Sequence, residues 1–475
     1  VTRPIVLGAM FRALGAYPSG WRHAGAHRDP RADATVLRRT AKLAEAAGLD
    51  FLYFGEWLST GLDLEHRDPY LLARVDPLSA VTFAAGITRR IGLVGTINAS
   101  YSGPYATARA TASSDVLSSG RVAIGLAVSS DTGADANFGV APVPADRRFE
   151  HAEEFVDALR SLWDSWDDDA FVADRSTGRL IDAEGLHATD FDGDFVHVAG
   201  PLNAPRPPQG HPPIIHAGSS AASLRFAGRN ADVALVAIGA PSEGVAIRRE
   251  IAEHALAAGR AAEDVLLVAP IMPIVADTVP ESWAIFDELV RLLPVGDDNA
   301  GGALPSARSL RSLAQVIDTP LTNVELDEPV TRRAAARFNE YGQQLLALVA
   351  ARTGRSLETG DRAITYRHVL ATHAVPAPVI VGDASSVADH FEEWVDLGAV
   401  DGFVVQSPFL PAPFAAFTEL VVPELVRRGR FRSGYEGRTL REHLGLGRPE
   451  NTHRVPLVRT AAQRFAGFDE VVGAS

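Results

Sequence analysis

The sequence of 475 residues contains no cysteine. That absence excludes disulfides, thiol nucleophiles, cysteine-bound zinc and iron–sulfur clusters together. Lysine is nearly absent too: Lys42 is the one lysine, in a stretch that reads as an amphipathic helix. A P-loop needs a lysine at fixed spacing after its glycines, and a Schiff-base enzyme needs one in a pocket, which argues against both. No serine sits in a GxSxG elbow. Histidines are scattered (His23, His27, His66, His151, His187, His197, His216, His368, His373) without HExxH or another metal spacing, so no metal is assigned.

No uncharged run reads as a spanning helix. Gly402 to Thr418, for one, is broken by Pro408, Pro411 and Pro413, so no membrane span is expected. The start, VTRPIVLGAMF, lacks the layout of a signal peptide, and a cytoplasmic location is the default expectation. Basic residues number 45 against 59 acidic, a net charge of −14. Such a chain repels phosphate backbones, which argues against nucleic acid as its partner. With 46% apolar and 22% charged residues the chain reads as a folded globular protein. Its length suits one large domain or about three average ones.

What is present is an alternation of short apolar runs and helical patterns. Strands are expected at Ile5–Phe11, Phe51–Phe54, Ile91–Ile97, Val122–Val128, Pro213–His216, Val233–Ile238, Val265–Ile274 and Gly402–Gln406. Val379–Val381 reads as a further short strand or a loop. Helix signals lie between them. Leu37, Ala41, Ala44 and Ala47 share one face, with Gly48 as C-cap. Asp76-Pro77 is a cap and first-turn pair. Phe149, Ala152, Val156, Leu159 and Trp163 mark another apolar face, and Val387, Phe391, Trp394 and Val395 a third. Eight strand-then-helix units suggest a (β/α)8 TIM-type barrel, although an open doubly wound sheet has the same local pattern. Two insertions are expected, at about 165–200, acidic and irregular, and about 279–377, ending in helical patterns. There is no internal repeat.

In a barrel the chemistry sits where the strands end. Gly55, Glu56 and Trp57 follow the second strand, Asn98, Ser100 and Tyr101 the third, Ser129, Ser130 and Asp131 the fourth, and Gly218, Ser219 and Ser220 the fifth. The last group opens a helix, where free amides and the helix dipole favour an anion and the hydroxyls add donors. Arg147 and Arg148 are candidates to approach the same anion. The plainer reading is that Ser219 caps its helix. Glu56 reads equally as a solvated loop acid, and Phe149 as core. Trp57 and Tyr101 either line a pocket or pack. Glu153-Glu154 and Asp167–Asp169 look like solvated charge.

At this point the chain resembles the flavin-dependent monooxygenases of the bacterial luciferase-like superfamily. The branch is that of nitrilotriacetate, dibenzothiophene-sulfone and long-chain alkane monooxygenases. The resemblance rests on RRIGLVGT and SGPYATARATASSDVLSSGRVAIG within Arg89–Gly125, and on RRFEHAEEFVDALRSLWDSW at Arg147–Trp166. It continues through GPLNAPRPPQGHPPIIHAGSS at Gly200–Ser220 and VVPELVRRGRFRSGYEGRTLREHLGLGRP at Val421–Pro449. It covers roughly residues 4–450 apart from 279–377.

The resemblance implies a single luciferase-like barrel domain over residues 1–450, with a C-terminal tail at 451–475. It implies reduced FMN at the strand ends, supplied by a separate NAD(P)H-dependent flavin reductase. Oxygen then gives a flavin hydroperoxide that oxygenates a small organic substrate. Glu56 falls where the family has an aspartate near the flavin. Asn98 or Ser100 takes the polar position beside the ring, and Ser130 one near the ribityl-phosphate chain. Arg148 and Phe149 match an Arg-Tyr pair on the phosphate, with the hydroxyl lost at Phe149. Gly218, Ser219 and Ser220 match the phosphate-binding helix start. Phe11 and Trp57 are expected against the substrate. Relatives suggest a homodimer or homotetramer. Alternatives are a deazaflavin-dependent oxidoreductase of the same superfamily, whose members generally lack the RGRFRSGYEGRTLREHLGL tail, and a flavin-binding protein without catalysis. A barrel glycosidase needs two carboxylates at strand ends, and only Glu56 and Asp131 are placed for it.

Overall fold

The computed structural model describes residues 4–60, 74–128, 132–293, 310–357, 360, 362–375 and 378–454. Eight strands succeed one another along the chain: β1 (Val6–Phe11), β2 (Phe51–Phe54), β3 (Gly92–Asn98), β4 (Val122–Ala127), β5 (Ile214–Ala217), β6 (Val233–Leu235), β7 (Leu266–Val275) and β8 (Gly402–Gln406). The helices that follow β1 to β7 are α1 (Asp33–Ala46), α2 (Pro77–Ile87), α3 (Pro104–Ser118), α4 (Arg148–Trp163), α5 (Ala221–Asn230), α6 (Pro241–Ala257) and α7 (Val279–Arg291). The described residues cluster into two compact units. One is drawn from Val1–Asp76, Leu235–Arg249 and Leu266–Gly434, the other from Pro77–Ala234, Glu250–Val265 and Tyr435–Ser475.

The first unit orders its strands β2-β1-β8-β7. Its β1 and β8 are parallel neighbours, Val6 opposite Gly402 and Met10 opposite Gln406. An open doubly wound sheet does not bring its first strand beside its last, so this pairing decides for the (β/α)8 TIM-type barrel. Gly402 permits it, because a Cβ there would overlap the Val6 carbonyl. The apolar run Val379–Gly382 is a strand, not a loop, and pairs with the second half of β7 from Met272 to Val275. Asp50 ties this unit to the RGRFRSG block. Its carboxylate accepts from Leu7 N at 2.8 Å and from the Arg432 guanidinium at 2.5 Å. Burial pushes that carboxyl up to about 6 despite the arginine.

The second unit orders its strands β3-β4-β5-β6. Its core is the apolar face of α4, where Phe155, Val156, Leu159, Leu162 and Trp163 close on Ile97, Ile124, Leu126 and Ile214. All nine are within a few per cent of complete burial, and removing the Trp163 ring alone would cost about 3–5 kcal/mol. The GRTLREHLGL stretch folds into this unit. Arg441 donates to the His211 carbonyl at 2.7 Å and to Asp232 at 3.1 Å.

Both regions read as insertions carry regular structure among their described residues. Residues 165–200 hold two antiparallel hairpins, Phe171–Asp174 with Arg179–Ile181 and Phe191–Asp192 with His197–Val198. Glu154 is no solvated charge: it accepts the backbone amides of Asp194, Phe195 and Val196 at 3.0, 2.8 and 3.2 Å. Glu153 pairs with Arg229 at 3.2 Å, and Asp167 with His187 at 2.9 Å. Asp168 receives Arg448 at 2.6 Å and Arg206 at 3.2 Å, and these guanidiniums, Arg448 foremost, hold its carboxyl down at about 2. In the 279–377 insertion, helices Leu310–Val316, Arg332–Ala335, Glu340–Thr353 and Tyr366–Ala374 enclose a core of Leu313, Ile317, Phe338, Leu345 and Leu370.

Candidate functional site

In the second unit, β5 ends in the exposed Ala217 and passes through Gly218 into α5. Ser220, not Ser219, is the N-cap: it has extended backbone and its Oγ accepts from Ser223 N at 3.2 Å. Ser219 stands one residue outside, on the surface. The cap leaves the amides of Ala221 and Ala222 without an acceptor among the described residues, as the first turn of any helix does. The Ser220 hydroxyl keeps its own proton for a second partner.

The loop rests on a buried support. His216, 2% exposed, bonds the Leu126 carbonyl through Nδ1 at 2.9 Å and Ser223 Oγ through Nε2 at 3.0 Å. Burial lowers the His216 pKa, against a smaller opposing pull from the Leu126 carbonyl. Ser223 Oγ in turn stands where a Cβ on Gly218 would fall, so only glycine fits there. Phe149 lies behind this support. Its ring meets His216 edge-on at 6.0 Å and Phe226 at 5.8 Å, within the core of α4. Arg148 is half-buried and its Nε donates to the Val143 carbonyl at 3.2 Å. Arg147 is engaged elsewhere, with Glu150 at 2.9 Å, Asp194 at 3.1 Å and the Phe195 ring.

Strand β3 brings a second set of polar groups to its end. Ile97 packs into the α4 core, and a Cβ on Gly95 would touch Val81 and Leu78 of α2. Alternation therefore sends Thr96 and Asn98 to the opposite face. Asn98 accepts from Ser100 N at 3.0 Å. Thr96 Oγ1, on a residue 8% exposed, and Ser100 Oγ are both buried without a hydrogen-bond partner among the described residues. Tyr101 is held by Asp135 at 2.8 Å and stacks on Phe138 at 5.0 Å. Thr96, Ser223 and the role of His216 escape a reading of strand-end loops. The period-two pattern of β3 is the signal that could have found Thr96. Ser130, with Ser129 and Asp131, lies outside the described residues.

In the first unit, Glu56 and Trp57 follow the end of β2. Glu56 is half-buried and accepts from the Trp57 amide at 2.9 Å. Burial raises its pKa, Asp76 adds to the rise, and the Trp57 amide and Arg74 oppose it. Trp57 is exposed, with the Arg74 guanidinium 5.9 Å from its ring. Phe11 closes β1 against Phe54, centroids 5.9 Å apart. No helix among the described residues is long and apolar enough to cross a membrane.

A (β/α)8 barrel with polar groups at the ends of several strands can now be set beside proteins already known. Residues 16–401 match the family described as Luciferase-like monooxygenase. The class so defined is that of the flavin-dependent monooxygenases. The chain belongs to the luciferase-like monooxygenase family, in the branch that includes nitrilotriacetate and dibenzothiophene-sulfone monooxygenases. It is 34% identical over 458 residues to N-acetyl-S-(2-succino)cysteine monooxygenase of Bacillus subtilis, covering 95% of this chain and 98% of that protein. It is 32% identical over 461 residues to nitrilotriacetate monooxygenase component A of Aminobacter aminovorans, with coverages of 95% and 98%. Among solved structures, a riboflavin lyase bound to modified FMN and riboflavin matches with a TM-score of 0.74 and 27% identity, over 93% of this chain and 96% of that one.

The residues present suit a flavin nucleotide. The open start of α5 offers amides and a hydroxyl to a phosphate. The hydroxyls of Thr96 and Ser100 are donors with no acceptor among the described residues, as a cofactor's polar edge would require.

Proposed function

We propose that this protein is the oxygenase half of a two-component system, binding reduced FMN from a separate NAD(P)H-dependent flavin reductase and oxygenating a small organic substrate. The observation that carries the proposal is the start of α5: a capped, exposed helix N-terminus behind a glycine that admits no side chain. The name component A carried by one relative and the modified FMN of the riboflavin lyase support it.

When bound in its reduced form, FMN supplies the two electrons with which one atom of molecular oxygen enters the substrate and the other leaves as water. The protein's own groups bind and orient. The amides of Ala221 and Ala222, with the Ser220 hydroxyl and the Arg148 guanidinium, take the phosphate. Asn98, Ser100 and Thr96 meet the polar edge of the ring. Gly218 and Ser219 shape the loop, and Phe149 buttresses it from behind. Glu56, its pKa raised, is suited to share a proton with a ring imide. Phe11 and Trp57 face the substrate.

Anaerobic titration with reduced FMN tests this reading, with the deazaflavin titrated in parallel. FMN should bind, and Ser220→Ala and Arg148→Ala should each weaken it by about three- to tenfold while the chain stays folded. Wild-type affinity in both variants, or preference for the deazaflavin, would refute it.

A further inference from the structure

We infer that His216 is a positioning residue for the phosphate loop, acting through Ser223 by its hydrogen-bond polarity and not by its bulk. The inference rests on the flavin reading above.

The polarity follows from the partners. A backbone carbonyl only accepts, so the 2.9 Å contact to Leu126 places a proton on Nδ1. His216 is 2% exposed and packs between Phe149 and Phe226, surroundings that disfavour a second proton. Nε2 is then a lone pair, and the 3.0 Å contact is the Ser223 hydroxyl donating to it.

Three restraints meet at Ser223. Its hydroxyl is drawn to His216. Its oxygen fills the space over Gly218. Its backbone N–H caps to Ser220 Oγ at 3.2 Å. Strand β4, strand β5 and the loop are thus fastened to one side chain on the first turn of α5. Because the Ser223 proton points at His216, that hydroxyl is not a donor to the anion. The cradle is left to the helix amides and Ser220, whose proton remains available. The aromatic walls would accept any flat ring at 216. The two nitrogens matter only if the direction of these bonds sets the loop.

Three substitutions separate bulk from polarity. His216→Phe keeps a ring and removes both nitrogens. His216→Gln discards the ring but can donate to Leu126 and accept from Ser223. Ser223→Ala removes the hydroxyl alone. The readouts are anaerobic dissociation constants for reduced FMN and for reduced riboflavin, which lacks the phosphate, with a thermal midpoint for each variant. We expect His216→Phe and Ser223→Ala to weaken FMN about tenfold, the double variant to be no worse than either, and His216→Gln to remain within about threefold of wild type. Riboflavin affinity should not move. Tolerance of Phe with damage by Gln would mean a packing role and overturn the inference, as would additive effects in the double variant. If His216→Phe does not fold, Ser223→Ala decides, and wild-type FMN affinity there sinks the proposal. If the wild type itself binds FMN no better than riboflavin, the phosphate reading fails first. If it prefers FMN and the variants do nothing, only the His216 inference fails.

Discussion

The loop after β5 and the loop after β2 present polar groups by different means. At Gly218–Ser220 the polar groups are backbone amides, and their direction is imposed by a helix, a cap and a buried histidine–serine pair. At Glu56–Trp57 the polar group is one half-buried carboxylate on a loop, bonded to the next residue's amide, beside a partly exposed indole. A backbone site can be broken by any atom that displaces the chain, but it has no single essential functional group. A side-chain site is easily altered and hard to collapse. Most of the preorganisation, and so the larger binding penalty on mutation, is expected at β5.

The sharpest way to break that contrast is Gly218→Val. Its Cβ would overlap Ser223 Oγ, so the loop must move. FMN affinity should fall by about thirtyfold or more, an overpacking cost of about 2 kcal/mol. Gly218→Ala combined with Ser223→Gly should recover much of the loss suffered by Gly218→Ala alone, because it removes the colliding oxygen. Fluorescence titration of the set checks this; a Gly218→Val variant that binds like wild type would show that the loop is not the rigid partner.

A smaller effect is expected at the cap. Ser220→Ala removes the acceptor for Ser223 N and should lower stability by about 1 kcal/mol, read by urea denaturation. The corresponding change at β2, Trp57→Ala, removes an exposed ring and should leave stability within about 0.5 kcal/mol. Equal losses at both places would erase the distinction.

Thr96 adds a third, opposed sign. Its hydroxyl is buried without a partner among the described residues, so Thr96→Val should raise the stability of the flavin-free protein by about 1 kcal/mol while weakening flavin binding. Thermal unfolding with and without FMN separates the two effects. A destabilised apo protein would mean that the hydroxyl has a partner within the fold.

These differences also explain what could be read in advance. Strand positions were legible to within a residue or two, apart from β6, which stops at Leu235 instead of Ile238; after it, Val236 N turns to the Val268 carbonyl. Apolar runs bounded by turns carry their own signal. The helix start was legible because glycine and serine specify backbone; the shift of the cap from Ser219 to Ser220 is within the usual uncertainty of an end. What stayed hidden depends on partners distant in sequence. Glu154 looks solvated until the hairpin amides some 40 residues on fold over it. Asp168 meets Arg448 at a separation of 280. Ser223 looks like one more small residue on a helix until His216, seven residues earlier, turns its hydroxyl. Composition cannot say which helices of the 279–377 insertion share a core, because four separate segments supply it.

The least effect should come from Glu56→Gln, and its pH dependence is the informative part. Burial raises the carboxyl's pKa in the folded chain above its unfolded value. The folded state then holds the proton more tightly. The stability linked to this group is present at low pH and is lost as pH rises through the folded pKa. Glutamine imitates the protonated acid at every pH. The variant should therefore match the wild type near pH 4 and gain on it slightly by pH 8, a difference reduced by the solvent that reaches the carboxylate. FMN affinity should change by less than about threefold. Parallel denaturation curves from pH 4 to 8 decide the point. If Glu56→Gln instead lost ground on raising the pH, the carboxylate would be stabilised by a partner, and β2 would be as strongly built as β5.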